Sequence, residues 1–473
     1  MTQAYDVIVL GGGIGGYTAA IRAAQLGKSV AIVEQDKLGG TCLHKGCIPS
    51  KALLRSAEVY ALMKDSQRFG VEAESVHIDF GKIMSRKSAV VEQLHSGLQY
   101  VMKKNKITVY RGLGRIIGPS IFSPRSGTVS VEQEDGEILT LVPERLVIAT
   151  GSRPRSIPGL ERDGELIMNS DDALVLDRLP ESILIIGGGA IGVEWASMLS
   201  DFGTDVTLIE YAPRLVPGED EDVSRELERL LKKRGVKVMT GAKAMPETVQ
   251  KQETGVALTV EHKDRHVPIT VERVLVSVGR QANIEGIGLE NTDIKIDNGY
   301  IRVNDSMQTA ELHIYAVGDC IGGLQLAHAA AHEGIVAVEH MSGMEPHRYA
   351  PHQVPRCIYS RPEIASVGWT ETQAKERGYK VKTAKVHFKA LGKALVYGES
   401  DGFAKVVADE ETNDLLGVHI IGPHATDYIA EAALAQLLDA TPWEVGQTIH
   451  PHPTMSEILG EAMLAVDGKA ISI

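Results

Sequence analysis

A pattern of apolar strand, glycine-rich turn and helix occurs twice in the chain and restricts the fold more than any other feature. Residues 7–10 form an apolar run that leads into the glycine-rich segment 11–16, and residues 183–186 lead in the same way into 187–192. In both places an apolar stretch typical of a buried helix follows. The repeat predicts two Rossmann-like folds, each binding one dinucleotide.

Each unit continues to a second apolar strand that ends in a glutamate. Glu34 and Glu210 both lie 18 residues after the last glycine of their motif. In such folds the first two motif glycines let the backbone approach a pyrophosphate, the third lets helix and strand pack closely, and the acid binds the ribose. The predicted glycine contacts are Gly11, Gly13 and Gly16 in the first unit and Gly187, Gly189 and Gly192 in the second.

The acid of the second unit also bears on which dinucleotide is bound there. A carboxylate accepts hydrogen bonds from a free ribose 2′-hydroxyl but repels a 2′-phosphate, which needs a nearby arginine. Glu210 is followed by Tyr211, Ala212 and Pro213, none of them basic. The second nucleotide is therefore predicted to be NAD rather than NADP.

Two further apolar runs, 146–151 and 274–279, each end at a glycine and are interpreted as the closing strands of the two units. A third apolar run, 314–319, also stops at a Gly-Asp pair. After about residue 346, strands at 402–407 and 415–421 and helices at about 426–438 and 454–466 predict a separate α+β domain. We expect an α/β fold with two Rossmann-like domains and a C-terminal interface domain. The predicted domains are 1–150, 151–272, 273–345 (which returns to the first unit) and 346–473.

Two cysteines stand five positions apart just after the first glutamate, at Cys42 and Cys47. This spacing fits neither the usual zinc motifs nor the thioredoxin motif, and the other two cysteines, Cys320 and Cys357, are isolated. A redox disulfide is favoured, with a metal site and two inert thiols as the alternatives. In a regular helix Cα atoms five residues apart are about 8.6 Å apart, which exceeds the disulfide range, so Gly46 is expected to interrupt a helical turn.

Residues 39–51 resemble the active-site segment of the pyridine nucleotide–disulfide oxidoreductases, and the resemblance extends over the whole chain. It implies that the first glycine motif binds FAD and the second NAD. It also implies that Cys42 is the interchange thiol and that Cys47 lies against the flavin as a charge-transfer thiolate. Members of the family usually have Asn-Val between the cysteines, whereas this chain has His44-Lys45, which affects the expected thiolate pKa and redox poise.

The same resemblance implies further cofactor contacts. Lys51 and Glu194 match a Lys–Glu pair beside the reactive flavin nitrogen, and Asp319 matches the aspartate that binds the ribityl chain of FAD. From the residues alone, two surface positions and a simple turn are the alternatives. The remaining predicted cofactor-binding residues are Thr150, Gly151, Gly279 and Ala327.

The C-terminal segment 450–457 resembles the family motif His-x-His-Pro-Thr-x-Ser-Glu. Histidine removes a proton near neutral pH, and a carboxylate can orient its second nitrogen. The resemblance implies that His452 is the base and Glu457 its partner, acting on the disulfide of the other subunit of a homodimer. The alternative for Glu457 is a capping box with Thr454 at the start of a helix.

The net charge limits which classes of binding partner are expected. A net charge of −13 without a basic stretch argues against nucleic acid, and we expect neither a membrane partner nor a resident metal; the N-terminus, read as written, predicts a cytoplasmic protein. The resemblance implies an NAD-dependent enzyme that reoxidises dihydrolipoyl groups on the carrier domain of a 2-oxo acid dehydrogenase complex, or in the glycine cleavage system. The alternatives are a glutathione-type reductase, a mercuric reductase (which usually has a C-terminal cysteine pair) and a non-catalytic scaffold subunit.

Overall fold

The computed structural model describes residues 2–119, 126–347 and 350–472. The chain divides into two compact units, each built from three segments. The first unit comprises Met1–Ala52, Met84–Arg155 and Arg280–Pro351, and the second comprises Leu53–Ile83, Ser156–Gly279 and His352–Ile473. The boundaries of the four domains expected from the sequence stay predictions.

The described elements follow in chain order. Up to residue 155 they are β1 (Thr2–Leu10), α1 (Ile14–Gln25), β2 (Val30–Glu34), α2 (Gly40–His44), α3 (Cys47–Lys64), α4 (Phe80–Lys104), β3 (Thr108–Arg111), β4 (Leu113–Ile117), β5 (Thr128–Glu132), β6 (Ile138–Ile148) and β7 (Ser152–Pro154). From 156 to 279 they are β8 (Ile167–Met168), α5 (Ser170–Ala173), β9 (Ser182–Ile186), α6 (Ala190–Phe202), β10 (Asp205–Glu210), α7 (Glu221–Lys233), β11 (Lys237–Thr240), β12 (Ala242–Gln252), β13 (Gly255–His262), β14 (Arg265–Val271) and β15 (Arg273–Val276).

From 280 to 351 the elements are β16 (Arg280–Ala282), β17 (Ile296–Asp297), β18 (Tyr300–Ile301), β19 (Ile314–Ala316) and α8 (Ala327–Met341). The remainder comprises β20 (Arg356–Ile358), β21 (Glu363–Gly368), α9 (Glu371–Glu376), β22 (Val381–His387), α10 (Gly392–Tyr397), β23 (Phe403–Asp409), β24 (Leu415–Gly422), α11 (Ala425–Leu437), α12 (Pro442–Gln447) and α13 (Glu457–Ala465). Short 3₁₀ helices lie at Ser66–Phe69, Leu289–Asn291, Gly318–Ile321, Pro351–Gln353 and Phe388–Ala390.

The first unit is built on a seven-stranded sheet. Six of its strands follow the order β3-β2-β1-β6-β5-β4, and the seventh, β19, pairs with β6. Strands β1, β2, β3, β6 and β19 run parallel. Strand β5 runs antiparallel to both of its neighbours, β6 and β4. Along β1, Val7 and Val9 enter one apolar cluster while Ile8 and Leu10 enter another. Because side chains alternate across a strand, this sheet is covered on both faces, as expected of a nucleotide-binding fold.

The second unit contains the repeated fold and a further sheet. The parallel order β11-β10-β9-β15-β8 matches the predicted strand–turn–helix–strand pattern. An antiparallel sheet β12-β13-β14 is inserted before β15; its strands were not separated in the sequence analysis. The prediction of two Rossmann-like α/β folds is confirmed.

The C-terminal part of the second unit is an antiparallel sheet, β20-β21-β24-β23-β22, whose apolar face packs with α11 and α13. The predicted strands at 402–407 and 415–421 and the helix at 426–438 are present, with ends that differ by one or two residues. The last helix begins at Glu457, three residues later than predicted. The prediction of an α+β domain after the nucleotide folds is confirmed. Among the described residues no helix is long and apolar enough to cross a membrane.

Candidate active site

The two glycine turns have the same backbone geometry. Gly11 and Gly187 adopt φ of +107° and +111°, values that favour glycine, and a Cβ on either would collide with a carbonyl oxygen of the neighbouring strand end. A Cβ on Gly16 would collide with the Gly11 carbonyl, as one on Gly192 would with that of Gly187. The third glycine of each motif therefore permits the close helix–strand approach that the sequence predicted.

The two glutamates also make matching contacts. The N–H of Gly12 donates to Glu34 Oε2 at 2.7 Å and that of Asp36 donates to Oε1 at 2.8 Å. The N–H of Gly188 donates to Glu210 Oε2 and that of Ala212 to Oε1, both at 2.6 Å. Each carboxylate is thus fixed beside its glycine turn, and its remaining lone pairs can accept ribose hydroxyls.

The helix starts next to these glutamates suit a bound pyrophosphate. Helices α1 and α6 begin after Gly13 and Gly189, and neither has a capping side chain or an acidic residue in its first turn. Their first N–H groups lack the partners that a helix interior would give them, and the helix dipole favours an anion there. A Cβ on Gly189 would meet no atom within 4 Å. The residues present therefore fit two dinucleotides.

The strand ends beside the first turn are held by one asparagine. Asn283 Nδ2 donates to the Thr150 carbonyl at 3.1 Å, and its backbone N–H donates to the Gly151 carbonyl at 2.9 Å. Gly151 and Gly279 adopt positive φ. These contacts fix the backbone at the carboxyl ends of the strands, where ligands bind in open α/β sheets.

Asp319 lies in the 3₁₀ turn after β19 and is held by two residues that the sequence analysis missed. Ser152 Oγ donates to Asp319 Oδ2, and Arg280 Nε donates to the same Ser152 Oγ at 2.7 Å. Arg280 Nη2 also donates to the Ser152 carbonyl at 2.8 Å. Neither residue belongs to a motif, so no sequence signal distinguishes them.

The start of α8 at Ala327 carries a further mark of a binding site. Gln325, two residues earlier, has a buried side-chain Nε2 without a hydrogen-bond partner among the described residues. A buried unpaired donor is costly, and a polar group of a bound cofactor would satisfy it. This amide was not noted in the sequence.

Cys42 and Cys47 form a disulfide, with Cα atoms 4.7 Å apart. The helix is interrupted between α2, which ends at His44, and α3, which begins at Cys47. A Cβ on Gly46 would lie 3.1 Å from the Thr41 carbonyl oxygen, so a larger residue would crowd the bend. The expected irregular turn is present at the expected glycine.

The other cysteines differ from this pair. Burial raises the pKa of the Cys320 thiol to about 12, which leaves it protonated and a poor nucleophile near neutral pH. Cys357 is half-buried and is not part of a disulfide among the described residues. Among the described residues no group of three or more His, Cys, Asp or Glu could hold a metal ion.

His452 and Glu457 are paired as predicted, and the capping alternative holds in part. His452 Nδ1 lies 2.8 Å from Glu457 Oε1, and the Thr454 N–H donates to Glu457 Oε2 at 2.7 Å. Burial raises the pKa of Glu457, but the Thr454 N–H and His452 outweigh it and hold that pKa below its ordinary value. The His452 side chain is 77% exposed, so its second ring nitrogen is accessible to a thiol.

Lys51 and Glu194 belong to different compact units of the chain. Lys51 lies one turn into α3 in the first unit, whereas Glu194 is buried on α6 in the second. The N–H of Tyr359 donates to Glu194 Oε1 at 2.9 Å. The pairing of Lys51 with Glu194 stays a prediction.

The sequence matches two parts of one protein family. Residues 5–334 match the pyridine nucleotide-disulphide oxidoreductase family, and residues 354–463 match its dimerisation domain. With the disulfide between Cys42 and Cys47 and the two glycine turns, these matches show that the chain belongs to the pyridine nucleotide-disulphide oxidoreductases. Its cofactors are accordingly FAD and NAD.

The similar proteins carry a more particular name. A dihydrolipoyl dehydrogenase of Bacillus subtilis is 62% identical over 472 residues, which cover 100% of both chains. One of Zymomonas mobilis is 40% identical over 475 residues, again covering 100% of both. The crystal structure of LpdA from Mycobacterium tuberculosis superposes with a TM-score of 0.90 at 26% identity, covering 98% of this chain and 99% of that one. The expected oxidoreductase class is confirmed.

Proposed function

We propose that this chain catalyses the dihydrolipoyl dehydrogenase reaction, the NAD⁺-dependent oxidation of a dihydrolipoyl group. The single observation that carries the proposal is the Cys42–Cys47 disulfide, formed in the segment that joins the first nucleotide fold to α3. A vicinal dithiol can reduce such a disulfide by two successive thiol–disulfide exchanges. The names of the similar proteins support the same substrate.

Cys42 receives the substrate in this scheme. A thiolate of the dihydrolipoyl group attacks Cys42 Sγ, the Cys42–Cys47 bond breaks, and Cys47 leaves as a thiolate. The second substrate thiol, after losing its proton, attacks the substrate sulfur of the mixed disulfide and releases Cys42. The substrate is thereby oxidised to its cyclic disulfide and the cysteine pair is reduced by two electrons.

His452 removes the proton that makes the first attack possible. Since Glu457 accepts from Nδ1, the neutral ring has its lone pair on Nε2, which accepts the thiol proton. Glu457 then stabilises the imidazolium that forms. In a homodimer His452 would act on the disulfide of the other subunit, an arrangement supported by the dimerisation domain at 354–463.

The remaining site residues hold the cofactors. FAD, when bound, would supply a two-electron acceptor for the reduced cysteine pair and a hydride donor for NAD⁺. Its proposed contacts are Gly11, Gly13, Gly16, Glu34, Lys51, Thr150, Gly151, Asp319 and Ala327. Those of NAD are Gly187, Gly189, Gly192, Glu194, Glu210 and Gly279, with Glu194 also proposed to pair with Lys51 near the flavin.

We further propose a cytoplasmic homodimer with the domains 1–150, 151–272, 273–345 and 346–473. Its partner would be the dihydrolipoyl carrier domain of a 2-oxo acid dehydrogenase complex or of the glycine cleavage system. No nucleic acid is expected, because the net charge is −13.

The test is NAD⁺ reduction by dihydrolipoamide in wild type and in His452→Gln. We expect the variant to lose about 10²- to 10⁴-fold in kcat, the usual contribution of a general base. It should retain NADH oxidation by artificial acceptors, which does not need the disulfide. His266→Gln, a change on the exposed side of β14, is the matched control. Equal loss of both activities in His452→Gln would make His452 structural, and no dihydrolipoamide oxidation by wild type would refute the proposed reaction.

A further inference from the structure

The residues between the two cysteines make contacts that the proposed reaction does not use. His44 Nε2 lies 2.9 Å from the carbonyl oxygen of Leu38, and His95 Nδ1 on α4 lies 2.9 Å from the same oxygen. The two rings are 5.0 Å apart and meet edge to face. We call His44, His95 and the Leu38 carbonyl the histidine clasp. It joins the last residue of α2 to a helix about fifty residues further along the chain.

The hydrogen-bond pattern fixes which nitrogens carry protons. A carbonyl oxygen only accepts, so both His44 Nε2 and His95 Nδ1 must donate. The side-chain amide nitrogen of Gln99 lies 3.0 Å from His95 Nε2 and donates to it. In this arrangement His95 donates from Nδ1 and accepts at Nε2, and a carbonyl oxygen with two lone pairs satisfies both rings.

Burial of the His44 ring favours its neutral form. Burial lowers the pKa of His44; His95 and Lys37 lower it further, while the Leu38 carbonyl and Asp36 oppose them. Lys45, the next residue, is 2.7 Å from Asp36 Oδ2. The backbone of Asp36 is itself tied to Glu34 Oε1. The cysteine segment is thus held on one side by α4 and on the other by the end of β2.

We propose that the clasp is a positioning device that favours the disulfide over the dithiol form of Cys42 and Cys47. A disulfide requires Cα atoms roughly 4.4–6.8 Å apart, and those of Cys42, on α2, and Cys47, at the start of α3, are 4.7 Å apart. Two free thiols have no such requirement. A contact that holds α2 in place therefore does not destabilise the disulfide form. In the dithiol form the same contact opposes the separation of the two sulfur atoms. The inference rests on the proposed redox role of the pair.

The test measures the thiol–disulfide equilibrium of the FAD-loaded enzyme with dithiothreitol. Dithiothreitol is oxidised to its cyclic disulfide while two electrons and two protons pass to Cys42 and Cys47. After equilibration, free thiols are trapped with iodoacetamide and counted by mass on the peptide that contains both cysteines. Because dithiothreitol is the reductant, the measurement does not depend on whether dihydrolipoyl groups are the substrate.

Two substitutions at His95 separate the hydrogen bond from general structure. His95→Leu removes the donor, and we expect the equilibrium to shift about threefold to tenfold toward the dithiol, where tenfold is about 30 mV for a two-electron couple. His95→Asn places an amide N–H where Nδ1 was, and it should stay within about twofold of wild type. His44→Leu removes the other donor and should shift the equilibrium as His95→Leu does.

His266→Leu, on β14, is the control and should leave the equilibrium unchanged. If His95→Leu does not fold, His44→Leu decides the question alone. A wild-type equilibrium in the donor-free variant, or an equal shift in His95→Leu and His95→Asn, would overturn the proposal. Lower thermal stability without a change of the equilibrium would show that the clasp is only structural.

Discussion

The two glycine turns use the same contacts but lead into different segments. In both, the glutamate accepts a hydrogen bond from the N–H of the second residue of the turn. The Gly12 N–H lies 2.7 Å from Glu34 Oε2, and the Gly188 N–H lies 2.6 Å from Glu210 Oε2. After Glu34 the chain enters α2 and the disulfide. After Glu210 it enters a loop that Arg214 closes by donating to the carbonyls of Pro217 and Glu219, each at 2.6 Å.

The comparison indicates that nucleotide binding and redox chemistry are separate features of this sequence. The glycine turn and the acid are repeated, whereas the segment after the acid is specific to each unit. In the second unit that segment engages Arg214, the first basic residue after Glu210, with backbone carbonyls. These contacts hold the Arg214 guanidinium against the backbone of its own loop.

The largest effect is expected from a substitution that removes the redox disulfide and leaves both glycine turns intact. Cys47→Ser should bind FAD as wild type does but lose nearly all dihydrolipoamide oxidation, because the disulfide that accepts electrons is gone. We also expect loss of the long-wavelength absorption band of the two-electron-reduced enzyme. Absorption spectra of Cys47→Ser and Cys42→Ser after reduction make the check. A band that persists in Cys47→Ser and disappears in Cys42→Ser would reverse the two assignments.

The next effect tests the acid of the second turn. Glu210→Gln combined with Tyr211→Arg should move the ratio of kcat/KM for NADP against NAD by about a hundredfold, because a repulsion of several kcal/mol in a partly buried site is removed. Steady-state kinetics with both nucleotides measure it. Glu34→Gln is the matched control and should alter FAD retention without altering this ratio. Unchanged NAD preference in the double variant would mean that Glu210 is not the ribose ligand.

A smaller effect is expected from substitution of the third glycine of each motif, Gly16 or Gly192. A Cβ on Gly192 would collide with the Gly187 carbonyl and lie 2.8 Å from Ser277 Oγ, so Gly192→Ala should weaken NAD binding by about 1–2 kcal/mol, roughly tenfold. Gly16→Ala should instead reduce the FAD content. KM for NAD and the ratio of flavin to protein absorbance distinguish the two. If both variants lose the same nucleotide, the assignment of one nucleotide to each turn fails.

The smallest effect concerns a carboxylate outside the turns that also binds a backbone N–H. The pKa of Glu457 is lowered from 4.5 in the folded state, so its contribution to stability is present above the unfolded pKa and is lost as the pH falls through the lower folded pKa. The free energy of unfolding of wild type should exceed that of Glu457→Gln by about 0.5 kcal/mol at about pH 7 and by less at about pH 3. Urea unfolding at both pH values measures this, and a difference that is equally large in acid would point to a neutral hydrogen bond.

The sequence was sufficient for the parts of the site that depend on local spacing. The turns at Gly11 and Gly187 follow from backbone requirements that only glycine meets, and Cys42 with Cys47 from the short loop between them. The support of Asp319 by Ser152 and Arg280 could not be predicted, because it joins three segments far apart in the chain. The histidine clasp could not be predicted either, because His44 and His95 are far apart in the chain. In addition, nothing distinguishes His95 from the other histidines, of which the chain has sixteen in all.

The pairing of β19 with β6 has a consequence for synthesis on the ribosome. Residues 314–316 align with Leu146, Val147 and Ile148, so the sheet that begins at Thr2 lacks one of its strands until more than 300 residues have been made. The parallel sheet from β8 to β15 lies wholly within 167–276. Because chains emerge from the N-terminus and compact units fold as they become available, the sheet started first is completed second. Until β19 has been synthesised, the edge of β6 that pairs with it stays unpaired in the nascent chain. An unpaired strand edge is a site for aggregation.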